Sequence, residues 1–333
     1  MWKPCRWVHL AAILASLSLA CLLTLTTADS QQSAVFVSRA LVSPIVYLPV
    51  VSMSGCMRGA GDTYGRPDIR EAAGVQTWYN WGPTPGGDGI PMIYSVGQIG
   101  VTLIGDPLWA LVGNEWEQTG QNNYVTPEQA AIAWHTVEQT YPSRKLVSPG
   151  VMSLTWLINW RAAYWTAYGH APKVDALAVH WYYGADGDPL QSFKRQVQLA
   201  ENLAQQWGVA EVWVTEFALY PCWGYDSAQF VRDAYAWLDT RPMVTRAFWF
   251  QAFWHNDGRQ SERAWAPPVE CYSGLGLDDG SLTPIGEAFL EMSGNGVNSS
   301  WDPRVDPTGD GVVDILDLSL VAAHFGERKE GAA

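Results

Sequence analysis

The alternation of strand-like and helix-like segments between residues 56 and 294 constrains the fold of this chain most strongly. Short runs rich in β-branched and aromatic residues recur there, and segments of helical periodicity separate them. The predicted strands are 56–60, 74–81, 90–96, 109–115, 145–150, 175–183, 211–218 and 246–253. Eight strands alternating with helices predict an α/β fold, the (β/α)8 TIM barrel, in which a parallel barrel is wrapped by helices.

Several connecting helices carry clear start and stop signals. Thr126 followed by Pro127 is typical of a helix N-terminus, because the hydroxyl can cap the first turn and proline fits the first helical position. A second helix is indicated by the apolar stripe of residues 191–208, which ends at Gly208. Asp226 begins a third helix with a capping-box pattern. These helices are expected to pack around the barrel.

Composition supports one large domain with small appendages. The chain has 333 residues, of which 48% are hydrophobic, and this content is sufficient for a large core. A formal net charge of −13 argues against a nucleic-acid partner, since such proteins usually present a basic face. The 19 tryptophans are unusual. Most are expected in the core, and some are expected to form flat platforms for sugar rings.

The N-terminus has the features of an export signal. Lys3 and Arg6 precede an apolar run over 7–25, and small residues follow it, so residues 1–28 are predicted to be a signal peptide of a secreted protein. The run exceeds the usual ~7–15 residues of a signal core, which leaves an uncleaved membrane anchor as the alternative. Residues 29–53 are interpreted as a tether, because short β-prone runs and prolines there show no helical period.

Three of the five cysteines lie in the predicted mature chain. Cys5 and Cys21 fall in the signal segment, which leaves Cys56, Cys222 and Cys271. No two of these stand at a metal-ligand spacing, and a disulfide is permitted outside the cell. Cys222 and Cys271 are the preferred pair, because both follow neighbouring predicted strands.

Two glutamates end predicted strands and are the candidate catalytic residues. Chemistry in a (β/α)8 barrel collects at the carboxyl ends of the strands. Alternation along the fourth strand places Glu115 on the same face as Leu111, and along the seventh strand it places Glu216 with Val212 and Val214. These faces are predicted to point into the barrel. Two carboxylates across a barrel mouth suit glycoside cleavage, in which one protonates the leaving oxygen and the other attacks the sugar carbon or activates water.

Motifs along the barrel resemble one known family. They are "MRGAG", "WYNWG", "IPM", "GNE", "VSPG", "VHWYYG", "VWVTEFA" and "RAFWF", in this order. On these motifs, residues 54–293 resemble the Asl1-like glycosyl hydrolase catalytic domains, glycoside hydrolase family 128 of clan A. The resemblance implies β-1,3-glucan as substrate class, retention of anomeric configuration, Glu115 as acid/base and Glu216 as nucleophile. No cofactor is expected for catalysis.

The chain departs from this family next to the predicted acid. The family usually has Pro and then Asp after the acid/base glutamate, whereas Trp116 and Glu117 stand here. The shape of a sugar subsite is therefore open to change. Glu117 is an alternative acid, because a continuing strand would aim it in the same direction as Glu115.

Other strand ends are predicted to supply the substrate-binding surface. Clan relatives use the asparagine before the acid to bond the sugar 2-hydroxyl. For the two tryptophans, core packing is an equal alternative to sugar stacking, and for the histidine the alternative is a satisfied barrel side chain. The predicted binding residues are Asn80, Trp81, Asn114, His180, Tyr182, Trp249 and Gln251.

The C-terminus predicts a separate calcium-binding segment. A Gly/Asn/Ser-rich linker over 294–303 precedes residues 304–327, which resemble one type I dockerin repeat. Calcium ligands are expected at the positions of an EF-hand-like loop. They are Asp306, Thr308, Asp310, the carbonyl of Val312, Asp314 and Asp317. A dockerin that binds cohesin normally has two repeats, so the single repeat argues against cohesin binding.

The sequence thus predicts a secreted retaining glycoside hydrolase, most simply an endo-β-1,3-glucanase, whose partner is a β-glucan polysaccharide. Two alternatives remain open. One is a non-catalytic glycan-binding barrel, and the other is a clan A hydrolase acting on another β-glycan. A membrane partner is expected only if the N-terminal segment stays uncleaved.

Overall fold

A computed structural model of the chain describes residues 55–120, 123–183, 187–253 and 271–296. All described residues belong to one compact unit. The predicted signal peptide, tether and calcium repeat lie outside the described residues.

Eight parallel strands form a single sheet that is nearly closed into a barrel. Its order is β2-β1-β8-β7-β6-β5-β4-β3, so β2 and β3 are the two ends of the sheet. Two backbone hydrogen bonds connect these ends, from Ile90 N–H to Trp78 O and from Met92 N–H to Gly82 O, each 2.8 Å long. The predicted barrel is confirmed. The strands are β1 Met57–Gly61, β2 Thr77–Tyr79, β3 Met92–Ile93, β4 Trp109–Val112, β5 Lys145–Val147, β6 Ala176–Tyr182, β7 Glu211–Ala218 and β8 Val244–Trp249.

Helices surround the sheet, but not after every strand. They are α1 Pro67–Ala72, α2 Pro127–Thr140, α3 Leu154–Tyr168, α4 Pro189–Trp207, α5 Ser227–Leu238 and α6 Pro284–Gly296. Residues 80–91, between β2 and β3, contain no helix, and residues 94–108, between β3 and β4, contain only a 3-10 turn at Val96–Gln98. Prolines and left-handed glycines in 83–89 prevent a helix in the first of these loops. No helix in the described part of the chain combines the length and apolar character of a membrane span.

The predicted helix signals are confirmed. The Thr126 side chain accepts the N–H of Gln129 at the start of α2, and Asp226 accepts the N–H of Gln229 at 2.9 Å at the start of α5. Gly208 follows α4 with φ of 71°, a left-handed conformation that glycine adopts without a steric cost.

The core has two layers, and the inner one fills the barrel. The outer layer packs the helices against the sheet. The inner residues are Tyr79, Ile90, Met92, Trp109, Leu111, Val147, Ala176, Ala178, Trp213 and Phe248.

The side chains of β7 alternate in the opposite sense to the prediction. Trp213 lies inside the barrel against Trp109, with ring centroids 4.6 Å apart. Val212 and Val214 lie in the layer between sheet and helices. The predicted inward orientation of these two valines is therefore wrong.

A bulge in β7 explains how Glu216 nevertheless reaches the barrel mouth. Val214 pairs with Val179 and Glu216 pairs with His180, so Thr215 is an extra residue in the ladder. An extra residue reverses the alternation of side chains beyond it. Glu216 consequently points to the inside although Val214 points to the outside.

A disulfide joins the segments that follow β7 and β8. Cys222 and Cys271 are bonded, with Cα atoms 4.6 Å apart, which confirms the preferred pairing. Cys56 is a buried free thiol.

Candidate active site

Two carboxylates and one imidazole meet at the carboxyl ends of the strands. One oxygen of Glu115, one of Glu216 and a ring nitrogen of His180 all lie within 4.8 Å of one another. Glu115 and Glu216 are 9% and 5% exposed, so both carboxylates are largely removed from water. The structure thus brings together the two glutamates that the sequence selected.

The backbone of Glu115 is held in an uncommon conformation. Its φ is 45°, in the left-handed region that residues with a side chain rarely adopt. Its N–H donates to Gly150 O at 2.8 Å, and the N–H of Gly150 donates back to Gly113 O at 3.0 Å. The loops after β4 and β5 therefore fix the direction in which Glu115 leaves the barrel.

Glu216 is held by one donor from the loop after β2 and one from the adjacent strand β6. The indole Nε1–H of Trp81 donates to Oε1 at 2.7 Å, and the hydroxyl of Tyr182 donates to Oε2 at 2.8 Å. The hydroxyl of Tyr79 donates to Thr215 O at 2.7 Å and lies 3.5 Å from Glu216 Oε1. Each carboxylate oxygen thus has a fixed partner.

Burial and neighbouring charges act in opposite directions on Glu216. Removal from water raises the pKa of Glu216, the charge of His180 lowers it, and the carboxylate of Glu115 raises it again. Burial prevails, so the pKa of Glu216 stands above its ordinary value. Hydrogen bonds from Trp81 and Tyr182 favour the ionised form of Glu216 and so lower its pKa.

His180 lies between the two carboxylates. Its Nδ1 is 3.0 Å from Glu115 Oε1 and 3.6 Å from Glu216 Oε2, and its ring is completely buried. Burial lowers the pKa of His180, but the charges of Glu216 and Glu115 outweigh it and raise the pKa to about 8. A Cβ on Gly150 would lie 2.5 Å from Nε2, so only glycine leaves room for the ring. This predicted binding residue contacts both glutamates.

Two other predicted binding residues, Asn80 and Gln251, have partners within the protein, and a third, Asn114, keeps an acceptor without one. Asn80 Oδ1 accepts the N–H of Gly82 at 3.1 Å and shapes the turn after β2. Gln251 Oε1 accepts the hydroxyl of Thr63 at 3.0 Å and is almost fully buried. Asn114 is buried beside Glu115, and its Oδ1 has no hydrogen-bond partner among the described residues, which leaves an acceptor for a ligand hydroxyl.

Trp249 does not reach the mouth, so the prediction of sugar stacking is wrong for this residue. It is fully buried in the helix-facing layer, where its ring contacts Phe217 at 5.2 Å between centroids. Its Nε1–H donates to Ser273 O at 2.6 Å. Alternation along β8 points Phe248 into the barrel and Trp249 away from it.

Aromatic residues that the sequence reasoning missed surround the glutamates. Phe250 packs edge-on against Trp81 at 5.6 Å and against Tyr182 at 5.7 Å. Tyr220 lies parallel to Tyr182, with ring centroids 6.2 Å apart. Phe250 directly follows β8, so a systematic search of strand ends would have found it. Burial and the charges of the two glutamates raise the pKa of Tyr220.

Both glutamates of this cluster are engaged by hydrogen-bonding groups of other residues. Glutamate and histidine are also metal-ligand types, and their atoms are close enough to share an ion. Both oxygens of Glu216 already accept hydrogen bonds, and His180 Nδ1 lies at hydrogen-bonding distance from Glu115. This arrangement can hold one carboxyl group ionised while the other carries a proton.

A parallel barrel with two buried carboxylates this close at its mouth defines the class of barrel glycosidases. Residues 61–289 match the family described as the glycosyl hydrolase catalytic core. The match covers more than half of the chain, and the protein belongs to this family. No match is found among curated proteins.

Solved structures of glycoside hydrolase family 128 share the fold. A curdlan-specific exo-β-1,3-glucanase from Blastomyces gilchristii, in complex with glucose, is 24% identical with a TM-score of 0.53, over 72% of this chain and 98% of the relative. An endo-β-1,3-glucanase from Sorangium cellulosum is 22% identical with a TM-score of 0.56, over 71% and 98%. An endo-β-1,3-glucanase from Amycolatopsis mediterranei, in complex with laminaritriose, is 20% identical with a TM-score of 0.54, over 72% and 100%.

Proposed function

We propose that this glycosyl hydrolase cleaves β-1,3-glucan with retention of configuration, using Glu216 as nucleophile and Glu115 as acid/base. The observation that carries the proposal is the approach of the two carboxylates, whose oxygens come within 4.8 Å. Retaining enzymes hold these groups about 5–5.5 Å apart, whereas inverting enzymes need about 6.5–9.5 Å to admit a water molecule. The structurally similar β-1,3-glucanases support the substrate class.

In the first step, an oxygen of Glu216 attacks the anomeric carbon as the bond to the glycosidic oxygen breaks. Glu115 donates its proton to that oxygen, and the shortened glucan leaves with a free hydroxyl. Trp81 and Tyr182 hold the attacking carboxylate in place, since they donate to its two oxygens. The product of this step is an ester between Glu216 and the remaining sugar.

In the second step, water attacks the anomeric carbon and the ester bond to Glu216 breaks. The carboxylate of Glu115 takes one proton from this water, which restores the starting form of both residues. His180 contacts both carboxylates, so its charge favours whichever of them is ionised. Two displacements at the same carbon retain its configuration.

We further propose endo action and export. Two of the three similar structures described above belong to endo-acting enzymes and one belongs to an exo-acting enzyme. The disulfide between Cys222 and Cys271 supports an oxidising compartment, as does the apolar N-terminal run. Endo action would shorten long glucan chains before free glucose accumulates, and a time course of product lengths tests this.

Azide rescue tests the two catalytic roles. Glu216→Ala should lose turnover on every substrate, because no glycosyl ester can form. Glu115→Ala should fail on oligosaccharides but still attack an aryl β-glucoside whose leaving group needs no proton, and azide should speed release of the sugar. If Glu117→Ala shows this rescue and Glu115→Ala behaves as the wild type, the acid is wrongly assigned.

A panel of purified β-glucans, with reducing ends measured, tests the two alternatives. A non-catalytic binding barrel would retain the polysaccharides and release no reducing ends. A hydrolase of another β-glycan would release them from a substrate other than β-1,3-glucan.

A further inference from the structure

The acid-bearing turn, which we define as residues 114–118, places its glutamate in an unfavourable backbone conformation. Glu115 has φ of 45°, although it carries a full side chain. Such a conformation persists only where the surrounding structure holds it. The residues that follow Glu115 are therefore expected to be anchored strongly.

Trp116 anchors this turn from one side. It is fully buried, and its Nε1–H donates to Tyr94 O at 2.9 Å. Its ring covers Gly113 so closely that a Cβ there would lie 2.8 Å from the indole. Its own carbonyl accepts the N–H of Val125 at 2.9 Å. Trp116 is thus held through its indole by Tyr94, before the turn, and through its backbone by Val125, after the turn.

Glu117 anchors the turn from the other side. Its Oε1 accepts the N–H of Met152 at 2.6 Å and the N–H of Ser153 at 3.4 Å, in the two residues directly before α3. A carboxylate at this place is also favoured by the positive end of the helix dipole. Its position there does not support the alternative that Glu117 is the acid.

The segment held by Glu117 also holds the imidazole of the site. The backbone N–H of His180 donates to Val151 O at 2.8 Å, and the side chain of Gln196 donates to Met152 O at 2.9 Å. His180 in turn contacts the Glu115 carboxylate at 3.0 Å. One short segment, residues 150–153, therefore positions both the backbone and the side chain of Glu115.

We propose that Glu117 is a positioning residue which, together with Trp116, holds Glu115 in the left-handed conformation that aims its carboxyl group at the glycosidic oxygen. Glu117 acts through the backbone of residues 152 and 153 and does not touch the substrate. The proposal rests on the acid/base role of Glu115 proposed above. It explains why an aromatic residue and a second acid directly follow the acid/base glutamate in this chain.

The proposal is tested by how strongly the rates of Glu117→Ala and Glu117→Gln depend on the leaving group of the substrate. Misplacement of a catalytic group by about 1 Å can cost about 100-fold in rate. We therefore expect Glu117→Ala to lower kcat on laminari-oligosaccharides by about 10- to 100-fold, with KM little changed. For an aryl β-glucoside whose leaving group needs no proton, kcat/KM, which reports formation of the ester only, should stay near that of the wild type. Glu117→Gln should recover most of the activity, because its amide oxygen can accept the same two N–H groups.

Asp226→Ala is the matched control. Asp226 also accepts a backbone N–H at the start of a helix, at 2.9 Å from Gln229, but it contacts no residue of the acid-bearing turn. Its loss should lower Tm by a similar amount without any difference between the two substrates. Should Glu117→Ala fail to fold, Trp116→Phe replaces it, since this variant keeps a ring and removes the bond to Tyr94 O.

Three results would overturn the proposal. Equal losses on both substrates would show a merely structural role, and no loss on either would show that the anchor is unnecessary. Glu117→Gln as impaired as Glu117→Ala would show that charge matters and not position. Glu115→Ala is measured in parallel. If the rate of Glu115→Ala does not depend on the leaving group, the proposed function fails. If it does depend on the leaving group while Glu117→Ala is unaffected, only the positioning role is refuted.

Discussion

Trp81→Phe should move the acid limb of the pH–rate profile to higher pH. The substitution keeps an aromatic ring but removes the Nε1–H that donates to Glu216 Oε1 at 2.7 Å. A hydrogen bond to a charged group contributes about 1.5–3 kcal/mol. Because one pKa unit corresponds to about 1.4 kcal/mol, the loss should raise the pKa of Glu216 by about 1 to 2 units. The sign follows from the hydrogen bond, which favours the carboxylate over the carboxylic acid.

The assay is kcat/KM against pH with an aryl β-glucoside whose leaving group needs no proton. With this substrate the acid limb reports ionisation of the nucleophile in the free enzyme and not protonation of Glu115. Trp249→Phe is the matched control, because it also removes an indole N–H bond, to Ser273 O at 2.6 Å, in which Glu216 takes no part. An acid limb that does not move in Trp81→Phe, or moves equally in Trp249→Phe, would refute the reasoning.

Three further predictions concern stability and the C-terminal segment. The folded pKa of His180, about 8, exceeds the ordinary value of about 6.5. The charged imidazole therefore stabilises the fold fully below pH ~6.5, and this stabilisation is lost as pH rises through about 8. In urea denaturation, the free energy of unfolding should fall by about 2 kcal/mol across that range relative to His180→Asn. Cys222→Ser should lower the free energy of unfolding by about 4 kcal/mol in the chain-entropy account for a separation of 49 residues, and an unchanged Tm would contradict this. The 306–317 loop is predicted to bind calcium independently of catalysis. Calorimetry on the full chain should show a heat of calcium binding that Asp306→Ala removes. Deleting residues 297–333 should leave hydrolysis intact.

Strand periodicity and the location of chemistry at strand ends were sufficient to predict the barrel and its two glutamates. Each of the eight predicted segments overlaps one of the eight strands. The predicted strands 74–81 and 90–96 are much longer than β2 and β3, because the loops around them contain prolines and left-handed glycines. The same residues explain why helices are missing after β2 and β3.

The orientation of side chains near strand ends could not be predicted from alternation alone. The bulge at Thr215 depends on the register between β6 and β7, which is a property of two strands together. Alternation correctly predicted the face of His180, because β6 continues without an extra residue. Glu117 would be aimed like Glu115 only if the strand continued, but β4 ends at Val112, and the carboxylate accepts the N–H of Met152 before α3 instead.

The strands β2 and β3 are the two ends of the sheet and are short, so we expect this side of the barrel to open more readily than the rest. Amide hydrogen exchange reports such local opening, which is most frequent where few backbone hydrogen bonds join an element to its neighbours. We expect the amides of Ile90 and Met92, which form the two bonds across this side, to exchange well before those of β6 and β7. Trp81 follows β2 directly, so each such opening would detach a hydrogen-bond donor from Glu216 while the remaining strands stay paired. Slower exchange of the Ile90 and Met92 amides with a bound oligosaccharide would therefore indicate that the ligand stabilises the side of the barrel from which Trp81 donates to Glu216.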